Sequence, residues 1–213
     1  MGARATVASD DVIQVIRQAI LDGDFAPRQR LIETDLSSQF EVSRAAVRTA
    51  LMSLENEGLV ERMPNRGARV RAISVTEAVE IVEVRIGLEV LVARRAAERI
   101  DDDRIGELAA LREDMREAVA GGNLMRYASL NQEMDAILRD VAGHALAKQL
   151  LERLLAQAAR HQFRLAFDPH RASASVEEHA AIIDAVVARD PDAAEAATRS
   201  HLTRIIEAMR QSS

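Results

Sequence analysis

From about residue 75 toward the C-terminus, apolar side chains return every three to four positions for more than a hundred residues, with almost no strand-like alternation. A pattern of that period and length buries itself as packed helices. It is broken at Asp101-Asp102-Asp103, Gly121-Gly122-Asn123, Gly143, Asp168-Pro169-His170 and Asp190-Pro191-Asp192, which divides it into about six helices. Ser175, with Glu178 three residues later, reads as a capping box opening the helix that carries His179.

The earlier residues behave differently: short apolar clusters are punctuated by Gly23, Pro27, Gly58, Pro64 and Gly67. Val12, Ile13, Ile16, Ala19 and Ile20 form one helix face that stops at Gly23. Leu31, Leu36 and Phe40 suggest a second, shorter helix, followed by a tight connection at Glu41-Val42-Ser43. Ser43 is the expected N-cap of a third helix, with Val47, Leu51 and Leu54 inward and Val42 stapled to Val47. Leu59 to Met63 and Ala68 to Ala72, joined by Pro64-Asn65-Arg66-Gly67, read as a β-hairpin. The expected fold is therefore mainly α: an N-terminal winged helix-turn-helix with a small β-hairpin wing, and a C-terminal all-α bundle. The expected divisions are a tail at 1–9, the winged domain at 10–73, a linker at 74–78 and the bundle at 79–211.

Composition narrows the chemistry. The chain has no cysteine, which excludes disulfides, thiolate zinc and a cysteine nucleophile. No apolar run approaches the roughly 20 residues of a spanning helix, and Met1 to Thr6 lacks a signal-peptide core, so a cytoplasmic location and no membrane partner are expected. A formal charge of −6 argues against non-specific coating of nucleic acid. Locally the balance reverses, with six Arg against three Glu from Val42 to Arg71.

With Val47, Leu51 and Leu54 inward, the third helix presents Arg44, Ala45, Arg48 and Met52 on its other side. Arginine can bond a guanine edge bidentately, and small Ala45 and Ala46 permit close approach in a major groove. Asn65 and Arg66 at the hairpin tip can reach an adjacent groove or backbone, and Arg69 is an expected phosphate contact. Ile16-Arg17-Gln18-Ala19-Ile20-Leu21-Asp22-Gly23, Pro27, Leu31-Ile32-Glu33, Val42-Ser43-Arg44, Val47-Arg48, Ala50-Leu51, Leu54-Glu55 and Glu57-Gly58-Leu59-Val60 resemble the DNA-binding domain of GntR-type bacterial regulators. The resemblance implies that Thr34, Arg44, Ala45, Arg48, Asn65, Arg66 and Gly67 occupy DNA-contact positions. Two positions depart from it: Arg28 stands where Gly usually follows Pro27, and Ala46 where Pro is common.

In the helical part, Asn131 and Asp135 lie one turn apart, and His179 and His201 lie on later helices. Oxygen and nitrogen donors from three helices suit a borderline divalent ion such as zinc, nickel or manganese. Arg85 with Leu88-Glu89, then Asn131, Asp135, Ser175-Val176-Glu177-Glu178-His179, Ile182, Ala185, Asp190 and His201, resemble the FCD ligand-binding domain of the FadR subgroup, over roughly residues 76 to 210. That resemblance implies a metal held by Asn131, Asp135, His179 and His201, which in turn holds a small carboxylate. Asp135 stands where the family has His, which makes the site harder and more anionic. Arg85 is the expected effector-binding cation, the alternative being a surface ion pair with Glu83 or Glu89. His144, His161 and His170 are read as structural or exposed.

The expected function is a metabolite-responsive transcription factor, a repressor that binds palindromic operator DNA as a homodimer. Two alternatives stand beside it: a metal-dependent helical enzyme using Asp135, His179 and His201, and a helical protein-interaction module. No nucleophile motif, phosphate loop or His-Glu-x-x-His motif favours an enzyme.

Overall fold

The computed structural model describes residues 9–63, 67–166 and 169–211. They form two compact units, one of residues up to 73 together with 155–159, the other of the remainder.

The first unit contains α1 (Ser9–Asp22), β1 (Arg30–Leu31), α2 (Glu33–Gln39), α3 (Arg44–Asn56), β2 (Val60–Met63) and β3 (Gly67–Val70). Its core joins Val12, Ile16 and Ile20 of α1 to Leu36, Val47, Leu51 and Leu54, closed by Leu31, Val60 and Val70 from the sheet. Ser43 caps α3 by accepting from the Ala46 amide at 3.1 Å. That bond uses an N–H which the more common proline would lack, so Ala46 suits this cap. Gly58, at φ +75°, ends α3 with the Leu59 amide bonded back to the Leu54 carbonyl at 2.9 Å.

The wing is more than a hairpin. Three antiparallel strands run in the order β1-β3-β2, with Leu31 opposite Ala68 and Val60 opposite Val70. Leu31 thus belongs to a strand, and the second helix starts later, at Glu33. A two-residue strand carries no alternation long enough to read. Gly67 sits at φ +82°, and a Cβ there would fall 2.6 Å from the Leu31 carbonyl oxygen, so β1 and β3 close up only on glycine. Arg28 also adopts a left-handed φ of 65°, the conformation a glycine takes without strain.

The second unit contains α4 (Val75–Arg99), α5 (Asp102–Ala120), α6 (Leu124–Ala142), α7 (Ala145–Ala166), α8 (Pro169–Val187) and α9 (Pro191–Gln211). α4 packs on α6, α8 and α9, and α5 packs on α6 and α8. Side-chain caps mark the starts: Ser74 accepts from Glu77, Asp101 from Arg104, Asn123 from Arg126, and Asp190 from Asp192 and Ala193. His144 is structural in this sense, its Nδ1 accepting from the Ala147 amide at the start of α7. Two expectations change. The stretch 74–78 is mostly the first turn of α4, with Ala78 fully buried, because Ser74 caps that helix. α8 begins six residues before Ser175, at Pro169, whose fixed φ suits a first helical position. Ser175 and Glu178 are therefore interior to the helix and free for other work. Among the described residues, no helix is long and apolar enough to cross a membrane.

Candidate functional site

On the first unit, α3 buries Val47, Ala50, Leu51 and Leu54 and leaves Arg44, Ala45, Arg48 and Met52 exposed. Thr34 is exposed on α2, its hydroxyl donating to Asp35 at 3.0 Å. Arg48 makes a two-pronged bond to Glu33, Nε to Oε1 at 3.2 Å and Nη2 to Oε2 at 2.9 Å. Those bonds, and the charges of Arg48, Arg62 and Arg44, hold the Glu33 carboxyl below its usual range despite partial burial. On the wing, Arg69 bonds Glu61 across the strands at 2.8 and 2.6 Å. Gly67 opens β3, while Asn65 and Arg66 lie outside the described residues. Glu33 was not singled out in the sequence because 15 positions separate it from Arg48 and no local period links them.

In the second unit, polar side chains from three helices, α6, α8 and α9, converge inside an apolar bundle. The Tyr127 hydroxyl meets His179 Nδ1 at 2.9 Å, His179 Nε2 meets His201 Nε2 at 3.1 Å, and His201 Nδ1 meets Glu178 Oε2 at 2.7 Å. Arg171 bonds both oxygens of Glu178, at 3.1 and 2.7 Å, and Arg204 adds a contact at 3.2 Å. Burial alone would raise Glu178, but the bonds from His201 and Arg171 outweigh it and bring the carboxyl down to about 2. Burial, reinforced by the His201 and Arg171 charges, holds His179 well below the usual imidazole range and so neutral. Burial pushes the Tyr127 phenol up to about 12, against a bond from Ser175. The residues read as a capping box instead support the two histidines.

Arg85 is buried at 3% exposure, with Nε bonded to Glu89 at 2.7 Å. The anticipated pair with Glu89 exists, but inside the bundle rather than on its surface. Asp135 lies 3.9 Å from Arg139; burial and the Glu89 charge push its carboxyl up to about 6 against the pull of Arg139 and Arg85. Three buried polar atoms have no hydrogen-bond partner among the described residues: Arg85 Nη1, Asn131 Oδ1 and Thr198 Oγ1. Native interiors leave few such groups unpaired.

The structure joins His179 to His201 directly, whereas Asp135 faces the Arg139 and Glu89 side. Among the described residues, no group of three or more His, Asp or Glu side chains is arranged to hold a metal. The trio needed for a metal-dependent enzyme, Asp135, His179 and His201, is therefore not assembled. Sequence spacing could align Asp135 with Asn131 but could not foresee that the Arg85 charge would act on its carboxylate beside that of Arg139.

The chain matches the gntR family of bacterial regulatory proteins over residues 8–70 and the FCD domain over residues 80–204. It is 31% identical over 205 residues to the HTH-type transcriptional repressor RspR of Escherichia coli K12, covering 95% of this chain and 89% of that protein. It is 26% identical over 215 residues to the repressor GlaR of the same strain, covering 97% of each. In fold it resembles E. coli McbR/YncC, with a TM-score of 0.82 at 20% identity, over 98% of this chain and 99% of the other. These relatives are regulators, and nothing in the site supports the enzyme alternative. The chain belongs to the GntR family of bacterial regulators carrying an FCD domain, and is a DNA-binding transcriptional regulator rather than an enzyme.

Proposed function

We propose that this regulator, of the FadR type, represses transcription as a homodimer on a palindromic operator and that a small organic acid bound among α4, α6, α8 and α9 controls it. The observation that carries the effector reading is the set of three unpaired buried atoms. Arg85 Nη1 needs an acceptor such as a carboxylate, Asn131 Oδ1 needs a donor, and the Thr198 hydroxyl can serve as either. A carboxylate bearing a hydroxyl or amino group supplies both kinds of partner. Thr34, Arg44, Ala45, Arg48 and the wing residues Asn65, Arg66, Gly67 and Arg69 are the proposed DNA contacts.

A divalent ion, zinc, nickel or manganese, would be held by His179 and His201, with Asn131 Oδ1 then facing the ion in place of a donor on the acid, and would supply positive charge for the acid. Both imidazoles fit that task because Tyr127 and Glu178 orient them through Nδ1. Asp135, engaged with Arg139, is the weakest member of the expected set. Dimerisation is supported by Val84 and Leu91, exposed apolar residues seven apart on one face of α4.

The effector reading is tested by thermal denaturation with a panel of hydroxy, amino and simple carboxylic acids. At least one acid bearing a donor is expected to raise the melting temperature of the wild type and not of Arg85→Ala. Equal responses in both proteins would remove Arg85 from the site.

A further inference from the structure

We infer that Glu33 is a specificity-determining positioning residue, which clamps Arg48 so that its outer guanidinium edge is presented for base reading. The inference rests on Arg48 being a base reader.

A guanidinium has five N–H donors in a rigid plane. Glu33 takes the Nε–H through Oε1 and one Nη2–H through Oε2. The edge left over consists of Nη1 and the second Nη2–H, and two parallel donors of that kind match O6 and N7 of guanine. The clamp comes from a different element, the first residue of α2, so it fixes the arginine relative to the domain and not merely along its own helix. Glu33 is the more enclosed partner, with 26% of its side chain exposed against 59% for Arg48, as expected of a support beneath a solvent-facing reader. An unclamped arginine samples many rotamers and must surrender them on binding a base; a clamped one has already done so.

The charge has a second consequence. Arg44 and Arg62 also act on Glu33, so its carboxylate sits among three arginines on the DNA-facing side. A fixed anion there lowers the attraction of this patch for phosphate on any sequence. It leaves intact the bidentate bond that only the right base can make. Glu33 thus trades general affinity for discrimination.

The test uses the full-length chain and the duplex it enriches from a random pool, with variants in which each half-site base pair is exchanged in turn. Wild type, E33Q, R48A and the double variant are compared by binding titration across a salt series. E33Q is expected to lower discrimination at one half-site position about fivefold or more. It should also bind random duplex more tightly, with a salt dependence steeper by up to roughly one unit of slope. In the R48A background, E33Q should no longer alter discrimination. A melting temperature near that of wild type shows the E33Q fold to be intact, and E33D, which keeps the charge, should retain part of the discrimination. Discrimination unchanged in E33Q while R48A loses it would overturn the clamp alone. No loss in R48A would overturn the base-reading role and the clamp with it. A loss caused by E33Q even without Arg48 would mean that Glu33 acts on the DNA itself, which also overturns the positioning role.

Discussion

His179 and His201 face each other through their Nε2 atoms at 3.1 Å, and each has its Nδ1 held by another side chain. The Glu178 carboxylate accepts the Nδ1–H of His201, so one proton between the two Nε2 atoms completes a donor chain from Tyr127 to Glu178. A divalent ion needs both Nε2 lone pairs, so the proton between them must move to His179 Nδ1, where the Tyr127 oxygen would accept it. Metal binding to the neutral pair is therefore expected to release no proton, so its calorimetric enthalpy should not vary with the ionisation enthalpy of the buffer. His179→Ala and His201→Ala should each abolish stoichiometric metal. Protein that is metal-free as purified, with a melting temperature indifferent to added zinc, nickel or manganese, would remove the ion from the account.

Acid stability has two opposing contributions in the helical unit. Glu178 is lowered from 4.5 to about 2 on folding, so its contribution is present above 4.5 and lost as pH falls toward 2. Asp135 is raised from 3.8 to about 6, so it destabilises the fold increasingly from pH 3.8 to 6 and fully above that. Asp135→Asn is expected to gain on the order of 2 kcal/mol above pH 6 and nothing below 4. Glu178→Gln should flatten the acid limb between 4.5 and 2. Denaturant unfolding across pH checks both; parallel curves for wild type and Asp135→Asn would contradict the Asp135 assignment.

The departure at Arg28 carries a stability prediction. Its left-handed backbone costs about 1–2 kcal/mol for a residue with a Cβ, while glycine returns about 0.5–1 kcal/mol of that as chain entropy. Arg28→Gly should therefore stabilise the winged unit by about 0.5–1 kcal/mol, and Arg28→Val should destabilise it. A loss on Arg28→Gly would mean that the arginine side chain contributes more than its backbone costs.

Much of this molecule could be read from its sequence where the signal is local. Ser43, Gly58, Asp101, Asn123 and Gly143 mark helix ends because capping depends on neighbours within a few positions. The apolar face of α3 followed from its period, and with it the exposure of Arg44 and Arg48. What could not be read was pairing between distant charges. Glu33 meets Arg48, and Glu178 gathers Arg171, His201 and Arg204, through tertiary packing that no spacing encodes. For the same reason no spacing foretold that the Arg85 charge would act on the Asp135 carboxylate, which also lies 3.9 Å from Arg139. β1 escaped notice because two residues are too few to show a pattern.

The exposed arginines separate into readers and anchors. Arg44→Ala and Arg48→Ala are expected to cost about 1–3 kcal/mol on the enriched duplex and much less on random DNA. Arg69→Ala should weaken binding to all sequences alike and reduce the salt slope by roughly one unit. Equal losses on both duplexes would make Arg44 and Arg48 phosphate contacts; an unchanged slope would take Arg69 out of the interface.

Control of DNA binding by an acid in the helical unit is the central claim, and linkage makes it directly measurable. With an acid that stabilises the wild type, affinity for the enriched duplex is measured at zero and saturating acid, and affinity for the acid with and without duplex. Coupling between sites is typically worth about 1–3 kcal/mol and must be reciprocal. The same factor, about 5-fold or more, is expected in both directions, and it should be lost in Arg85→Ala. A stabilising acid that leaves DNA affinity unchanged, with DNA leaving acid affinity unchanged, would contradict it.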